Sequence, residues 1–507
     1  MICEPIHPLH VSIKRELFMA DSETINGRLI CVLLLAVLVA GCVVGPDFKR
    51  PETTDLTAYT TTPLPGRTTA TPTALGESQR FVEGGRVNPQ WWQELGSAKL
   101  NALIEEALQA SPTLAAAQAT LRQAQELYAA RAGSTLYPQV DANLSAQRQR
   151  ANPISLGQTG DSREFSLYNA GVGVRYTLDL AGGNRRALEA LAARVDYQRY
   201  QLEGAQLTLA GNIVTTVVTR AGLAMQIQVT EGILRSEEEQ LALTRERARL
   251  GQAAPDDVFA LETQAEQTRA GIPVLCNRLQ QNEHLLAVLA GRAPGAGALP
   301  SFSLEEFTLP ADLPLIVPSE LVRARPDIQA AEALLHAANA EYGVAISKLY
   351  PQLNLSADLG SQALTTGALF GSGSAIWSLV GQLTQPLFNP GLPAEKRAAL
   401  ASFDAAAANY RNVVLESLRN VADVLRALDN DAQRLAALSA ASDAAQNFLK
   451  SMQRRYALGA GSYFELLIAQ QQLQQTRINL IEAQAQRLVD SAAFYQAMGG
   501  GGVSNSY

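Results

Sequence analysis

The chain repeats itself at long range, and this limits its fold more than any other feature. LYPQVDANLSA (Leu136 to Ala146) is answered by LYPQLNLSADL (Leu349 to Leu359). RLGQAAPDDVFALETQAEQTR (Arg249 to Arg269) is answered by ALGAGSYFELLIAQQQLQQTR (Ala457 to Arg477). Both pairs lie about 210 residues apart. Each half follows one order: leading helix, strand pair, very long helix, tight turn, returning helix. The halves are bounded at 91–300 and 301–498, with a short tail at 499–507.

The strands carry period-two patterning. Val140, Ala142, Leu144 and Ala146 alternate with Asp141, Asn143, Ser145 and Gln147. Val172, Val174, Tyr176, Leu178 and Leu180 alternate with Gly171, Gly173, Arg175, Thr177 and Asp179. Leu353, Leu355, Ala357 and Leu359 alternate with Asn354, Ser356 and Asp358, and a less regular strand runs near Ile376 to Leu387. One apolar and one polar face suit a wall between lipid and water, or a soluble sheet packed on helices. Trp377 suits a lipid interface. Four strands cannot close a barrel; three chains pooling theirs would supply twelve. The loops near 149–166 and 361–374 would then face outward.

Residues 187–250 and 394–458 contain no proline and read as continuous helices of roughly 95–100 Å each. The returning helices, near 255–291 and 463–497, and the leading ones, near 98–133 and 318–346, are shorter. One of each, stacked, would match a long helix. Such lengths exceed a compact domain and suit a span across the periplasm. Gly204, Gly211, Gly222 and Gly232 mark close packing or bends.

The N-terminal end adds an address. Arg28 precedes an apolar run from Leu29 to Ala40, which spans about 18 Å as helix against roughly 30 Å of hydrocarbon. That fits a secretory signal. The run ends in Val39-Ala40-Gly41-Cys42, which resembles the lipobox of bacterial lipoproteins. The resemblance implies cleavage after residue 41 and acylation of Cys42, with Val43 compatible with outer-membrane delivery. Translation starts at Met1 or Met19. Residues 42–90, rich in Thr, Pro and Gly, read as a lipidated tether or loosely wrapped segment.

Composition narrows the function. A net charge of −7 disfavours nucleic acid. No nucleophile elbow, phosphate loop or paired cysteine is found, so neither an enzyme nor a cofactor or metal site is expected. His284 and His336 read as surface or packing residues, and Cys276 as a lone packed thiol.

Several motifs in order resemble the TolC-like outer membrane factors, in the lipoprotein branch that includes OprM and NodT. They are CVVGPDFKRP, WWQELGSAKLNALIEEALQASPTL, VPSELVRARPDIQAAEALLHAANAEYG, QPLFNPGLPAEKRAAL and FYQAMGGGG. The resemblance implies an α+β homotrimer: a twelve-strand outer-membrane barrel continuing into a periplasmic helical barrel. It implies docking on a periplasmic adaptor, and through it on an inner-membrane pump of the RND type. Export of small molecules is then expected, with protein secretion or a non-conducting coiled-coil scaffold as alternatives. Leu250-Gly251 and Leu458-Gly459 correspond to the adaptor-docking tips. Glu465, with Asp257 as its counterpart, corresponds to a periplasmic gate. Ile468 stands where the OprM-like branch carries Asp. Arg455 and Tyr456 would brace the tip.

Overall fold

The computed structural model describes residues 43–52, 58–152, 159 and 161–501. Cys42 and the run before it lie outside the described residues. Along the chain come β1 (Arg80–Glu83), α1 (Ala98–Ala110), α2 (Pro112–Leu136), β2 (Gln139–Ala151), β3 (Arg163–Leu178), α3 (Gly183–Arg249) and α4 (Pro255–Leu289). Then follow β4 (Asp312–Leu315), α5 (Pro318–Ala324), α6 (Pro326–Ser347), β5 (Gln352–Ala363), β6 (Ala375–Thr384), α7 (Gly391–Ala457) and α8 (Tyr463–Ala497).

The chain forms two units. The first comprises residues up to Phe48, Leu127–Ala192 and His336–Asp404. Its centre is one antiparallel sheet in the order β2-β3-β5-β6. Register keeps the two faces separate. Ala142, Val172, Leu359 and Trp377 form one cross-strand row, and Val140, Val174, Ala357 and Leu379 another. Asp141, Gly173, Asp358 and Ser378 form a row on the opposite face. The apolar face stands bare: Leu144 is 80% exposed and Trp377 79%. Arg175 reaches Asp141 at 3.1 Å across the polar face. Within the described residues, β2 and β6 each have a single ladder partner, so each keeps one open edge.

Two strand expectations are corrected. Leu180 and Asp179 lie beyond β3; Asp179 instead accepts the backbone N–H groups of Asn184 and Arg185 and so tethers the start of α3. The last strand ends at Thr384, before Gln385-Pro386. Its irregularity has a visible cause: Ile376 and Val380 share the polar face, while Gly381 sits on the apolar one.

The second unit, residues 49–126, 193–335 and 405–501, is mainly helical. The expected leading helices are each broken in two. Ser111 and Arg325 adopt extended backbone with ψ of 120° and 126°, each directly before a proline. Proline lacks the N–H a helix needs and pushes the preceding residue out of the helical region. The break recurs in both halves. Part of α3 is long and apolar enough to cross a membrane, but its Ile213, Val214, Val217 and Val218 are buried in this unit's core. Gly211 lies against the Gln496 amide of α8, which would have to move to admit a Cβ. Trp91 is fully buried and stacks on Tyr495 at 5.3 Å.

Residues 58–90 are not a free tether. Arg487 of α8, 1% exposed, anchors this segment. Its guanidinium donates to the carbonyls of Leu75 and Glu77 at 3.0 Å and to Gln79 Oε1 at 3.0 Å. Gln79 in turn donates to Ser491 Oγ at 3.0 Å and to the Pro310 carbonyl at 3.2 Å. Burial lowers the Arg487 pKa, so the charge is held at a cost that these acceptors offset. β1 then pairs in parallel with β4. Thr, Pro and Gly content suggested a tether, but these hydrogen bonds and the burial of Leu75 and Val87 in the core hold the segment in place.

Arg487→Met would strand several buried acceptors, each worth about 1–3 kcal/mol. Trypsin cleavage at Arg67, Arg80 or Arg86 should accelerate about tenfold or more, for a destabilisation of at least ~1.4 kcal/mol. Limited proteolysis with mass analysis checks this, and unchanged cleavage would remove Arg487 as the anchor.

Candidate docking and gate site at the helix turns

The two long helices end in the same way. In the first turn, Gly251 N–H donates to Ala248 O at 2.9 Å and Gln252 N–H to Arg247 O at 2.8 Å. In the second, Gly459 N–H donates to Tyr456 O at 3.0 Å and Ala460 N–H to Arg455 O at 2.9 Å. This is the paired-bond C-cap that needs a left-handed residue. Gly251 and Gly459 supply it, with φ of 73° and 71°. Each glycine presents Leu250 or Leu458 beside it, 54% and 83% exposed. All four expected docking residues therefore lie at the turns.

Asp257 and Glu465 occupy matching third positions of α4 and α8. Their surroundings differ. Glu465 closes a capping box: its carboxylate accepts the Ser462 N–H at 3.1 Å, and Ser462 Oγ accepts the Glu465 N–H at 3.3 Å. Arg455 lies 3.9 Å from the same carboxylate and also donates to the Ala460 carbonyl at 3.4 Å. The expected gate carboxylate thus also holds its own helix start. Tyr456 packs edge-on against Tyr463 at 5.8 Å. Arg247, from the end of α3, lies over the Tyr456 ring at 5.7 Å and so joins the two turns. Ile468 is 42% exposed on α8.

Farther along the helices, an apolar cluster forms around Leu241, Leu261, Leu449, Leu466 and Leu473. Beside it sits a polar node that the sequence reading missed. Glu237 of α3 is 1% exposed. It accepts Gln264 Nε2 at 3.2 Å, and Gln471 of α8 donates to Gln264 at 2.6 Å. Glu237 Oε2 and the Tyr463 hydroxyl are both buried without a hydrogen-bond partner among the described residues. Burial raises the Glu237 carboxyl pKa, more than its bonds to Thr268 and Gln264 lower it. Burial also raises the Tyr463 hydroxyl, with Tyr456, Glu237 and Asp257 adding to the effect. The repeat offered a signal: the internal offset that pairs Gly251 with Gly459 pairs Glu237 with Ala445, which is apolar and 3% exposed. The remaining sequence candidates lie elsewhere. Cys276 is half-buried, His284 is exposed, and His336 belongs to the first unit.

The native state holds the Glu237 proton more tightly than the unfolded chain does. Ionisation as pH rises above the ordinary carboxylate range therefore subtracts stability. Glu237→Gln should raise the melting midpoint by about 1–2 °C near pH 8, the shift expected for ~1 kcal/mol in a unit of this size. The gap should close near pH 4, where both side chains are neutral. Thermal scans at the two pH values check this; an equal gap at both would remove the titration.

Comparison with known proteins agrees with this architecture. A sequence model described as outer membrane efflux protein matches residues 103–292 and 317–500. The solvent efflux pump outer membrane protein SrpC of Pseudomonas putida is 29% identical over 473 residues, covering 92% of this chain and 96% of that protein. The pyoverdine export outer membrane protein OpmQ of the same species is 31% identical over 428 residues, covering 82% and 89%. The outer-membrane channel OprN superposes with a TM-score of 0.82 at 27% identity, over 90% of this chain and 99% of that one. VceC of Vibrio cholerae gives 0.76 at 25%, over 82% and 99%. With the family model spanning both halves of the repeat, the chain belongs to the outer membrane efflux protein family.

Proposed function

We propose that three copies of this chain pool their strands into one twelve-strand barrel and act as a passive export duct for small molecules. One observation carries the reading: a sheet with a bare apolar face, a polar face, and open edges on β2 and β6. In hydrocarbon each unsatisfied backbone group costs several kcal/mol, so open edges do not persist there. A second copy's β2 pairing with β6, repeated around a closed ring, removes every edge.

The turns at Leu250-Gly251 and Leu458-Gly459 dock a periplasmic adaptor, and through it an inner-membrane pump of the RND type supplies the energy. Exposed leucines on capped, rigid turns give such a partner apolar purchase. Asp257 and Glu465 gate the mouth: three copies bring like charges together. Acylation at Cys42 anchors each chain in the outer membrane. Relatives named for solvent, toluene and pyoverdine export favour small-molecule cargo over protein secretion. A non-conducting scaffold would have no use for a bare apolar sheet. The chain performs no covalent chemistry on what it carries.

Native mass measurement in detergent, followed by single-channel recording, tests this. A trimer is expected. Glu465→Gln keeps a capping-box partner and removes the charge, so it should raise conductance several-fold, as should Glu465→Ala. If only Glu465→Ala raises it, the side chain acts as a cap and not as a gate. A monomer without conductance would overturn the shared barrel.

A further inference from the structure

The first described residues are seated in a groove of the first unit. Val44 N–H donates to the Ala181 carbonyl at 3.0 Å. Asn339 of α6 donates to the Pro46 carbonyl at 3.0 Å. The floor of the groove is Arg186 of α3, whose side chain is 4% exposed. It donates to the carbonyls of Val44 and Gly45 at 3.4 and 3.3 Å, to Asp47 at 2.7 Å and to Glu189 at 2.7 Å. Gly45, with φ of 93°, passes so close to Gly343 that a Cβ on it would lie 2.9 Å from the Gly343 Cα. Phe48 stacks on His336 at 4.3 Å, and His336 Nε2 lies 2.8 Å from Glu189 Oε1. Glu189 thus bridges Arg186 and His336, and these two hold its carboxyl below the usual range despite burial.

This is a specific seat. Most of the Arg186 donors go to the strap or to Glu189, so emptying the groove would forfeit the charge-assisted bonds to Val44, Gly45 and Asp47. The seat draws on both repeats: α3 follows β3, and α6 leads into β5. Those two strands are paired neighbours at the centre of the four-strand order.

We propose that this groove is the docking site of the processed N-terminus, and that it, not the acyl chains alone, sets where the lipid anchor meets the barrel. The proposal rests on the reading that Cys42 is acylated. An anchor on the residue before Val43 is within one Cα step, about 3.8 Å, of the seated strap. Val43 itself lies against Gly182, just beyond the end of β3, so the seat delivers the anchor there and not at the edges of β2 and β6 that must join other copies. Released, the six residues 43–48 could extend by up to about 20 Å, against roughly 4.8 Å between neighbouring strands. Acyl chains could then lie across an unpaired edge and obstruct assembly. The seat keeps lipid off the joining edges.

The test uses the full-length lipoprotein. Hydrogen exchange at Val44 reports the seat, and the mass of the N-terminal peptide reports acylation. Arg186→Met should speed Val44 exchange at least tenfold with the acyl mass unchanged, and should slow trimer formation in lipid vesicles several-fold. Asn339→Ala, which leaves Arg186 in place, should speed exchange more modestly. The Cys42→Ser variants are expressed behind an ordinary cleavable secretory signal, so that no apolar leader is retained, and the single variant should keep Val44 protected. The decisive variant is Cys42→Ser/Arg186→Met: with no anchor to stray, it should assemble as fast as Cys42→Ser. Unchanged exchange in Arg186→Met, or lost protection in Cys42→Ser, would overturn the seat. A double variant as slow as Arg186→Met would reduce the groove to a packing role. A wild-type N-terminal peptide without acyl mass would overturn the anchor reading, while Val44 exchange would still judge the seat.

Discussion

An unpaired strand edge cannot be left in hydrocarbon, and most of this chain can be understood from that constraint. Among the described residues the sheet has four strands and two open edges. Its apolar face excludes a water-facing role, and its polar face excludes burial in a dry core. Neither problem can be solved within one chain, because four strands are too few to close. The solution is a wall shared among copies, and the sequence commits to it by placing Leu144, Leu359, Trp377 and Leu379 where only lipid or a partner can cover them. The helices do not share this problem, since their backbone bonds are internal. They can be as long as the span requires, and α3 and α7 each run for 67 residues.

The two halves solve the same packing problem with different side chains, and the differences carry information. Both leading helices break before a proline, and both long helices end in a glycine cap. These are backbone requirements, and both repeats retain them. Side chains were free to diverge where geometry did not forbid it. Glu237 faces the interior where the other half has Ala445, and the Ser462–Glu465 capping box has no equivalent at Ala254, which makes no side-chain cap. A buried carboxyl is not needed for packing, because the apolar version exists in the same molecule. The asymmetry gives the first half a buried carboxyl and the second half a capping box, so the two helix pairs differ in charge although their backbones match.

Much of the architecture was legible in the sequence because its signals are local or periodic. Alternation gave the strand faces, the absence of proline gave the long helices, and Leu-Gly gave both turns. What was not legible depends on partners distant in sequence. The breaks at Ser111 and Arg325 were readable from Pro112 and Pro326, yet the apolar patterning on either side masked them. Residues 58–90 look like a tether because their partner, Arg487, lies some 400 positions away. His336 looked unpartnered because Glu189 comes from the other repeat. The capping box of Glu465, by contrast, was written locally in Ser462-Tyr463-Phe464-Glu465 and was overlooked.

That double engagement of Glu465 bears on how a gate can be built into a helix start. A capping carboxylate accepts from one backbone N–H and retains its charge. The helix dipole, positive at this end, favours that charge by about 0.3–1 kcal/mol. Arg455, 3.9 Å away and half-exposed, screens it only partly. In the proposed trimer, repulsion among copies of Glu465 would therefore act directly on the first turn of α8, through a side chain fastened to that turn's backbone. A carboxylate on a freely rotating side chain would relieve the repulsion by swinging away. One held by its own cap would pass it to the helix, so in the proposed gate the energy would be available to move the turn. The rigidity of the cap is thus a condition for the charge to act on the helix.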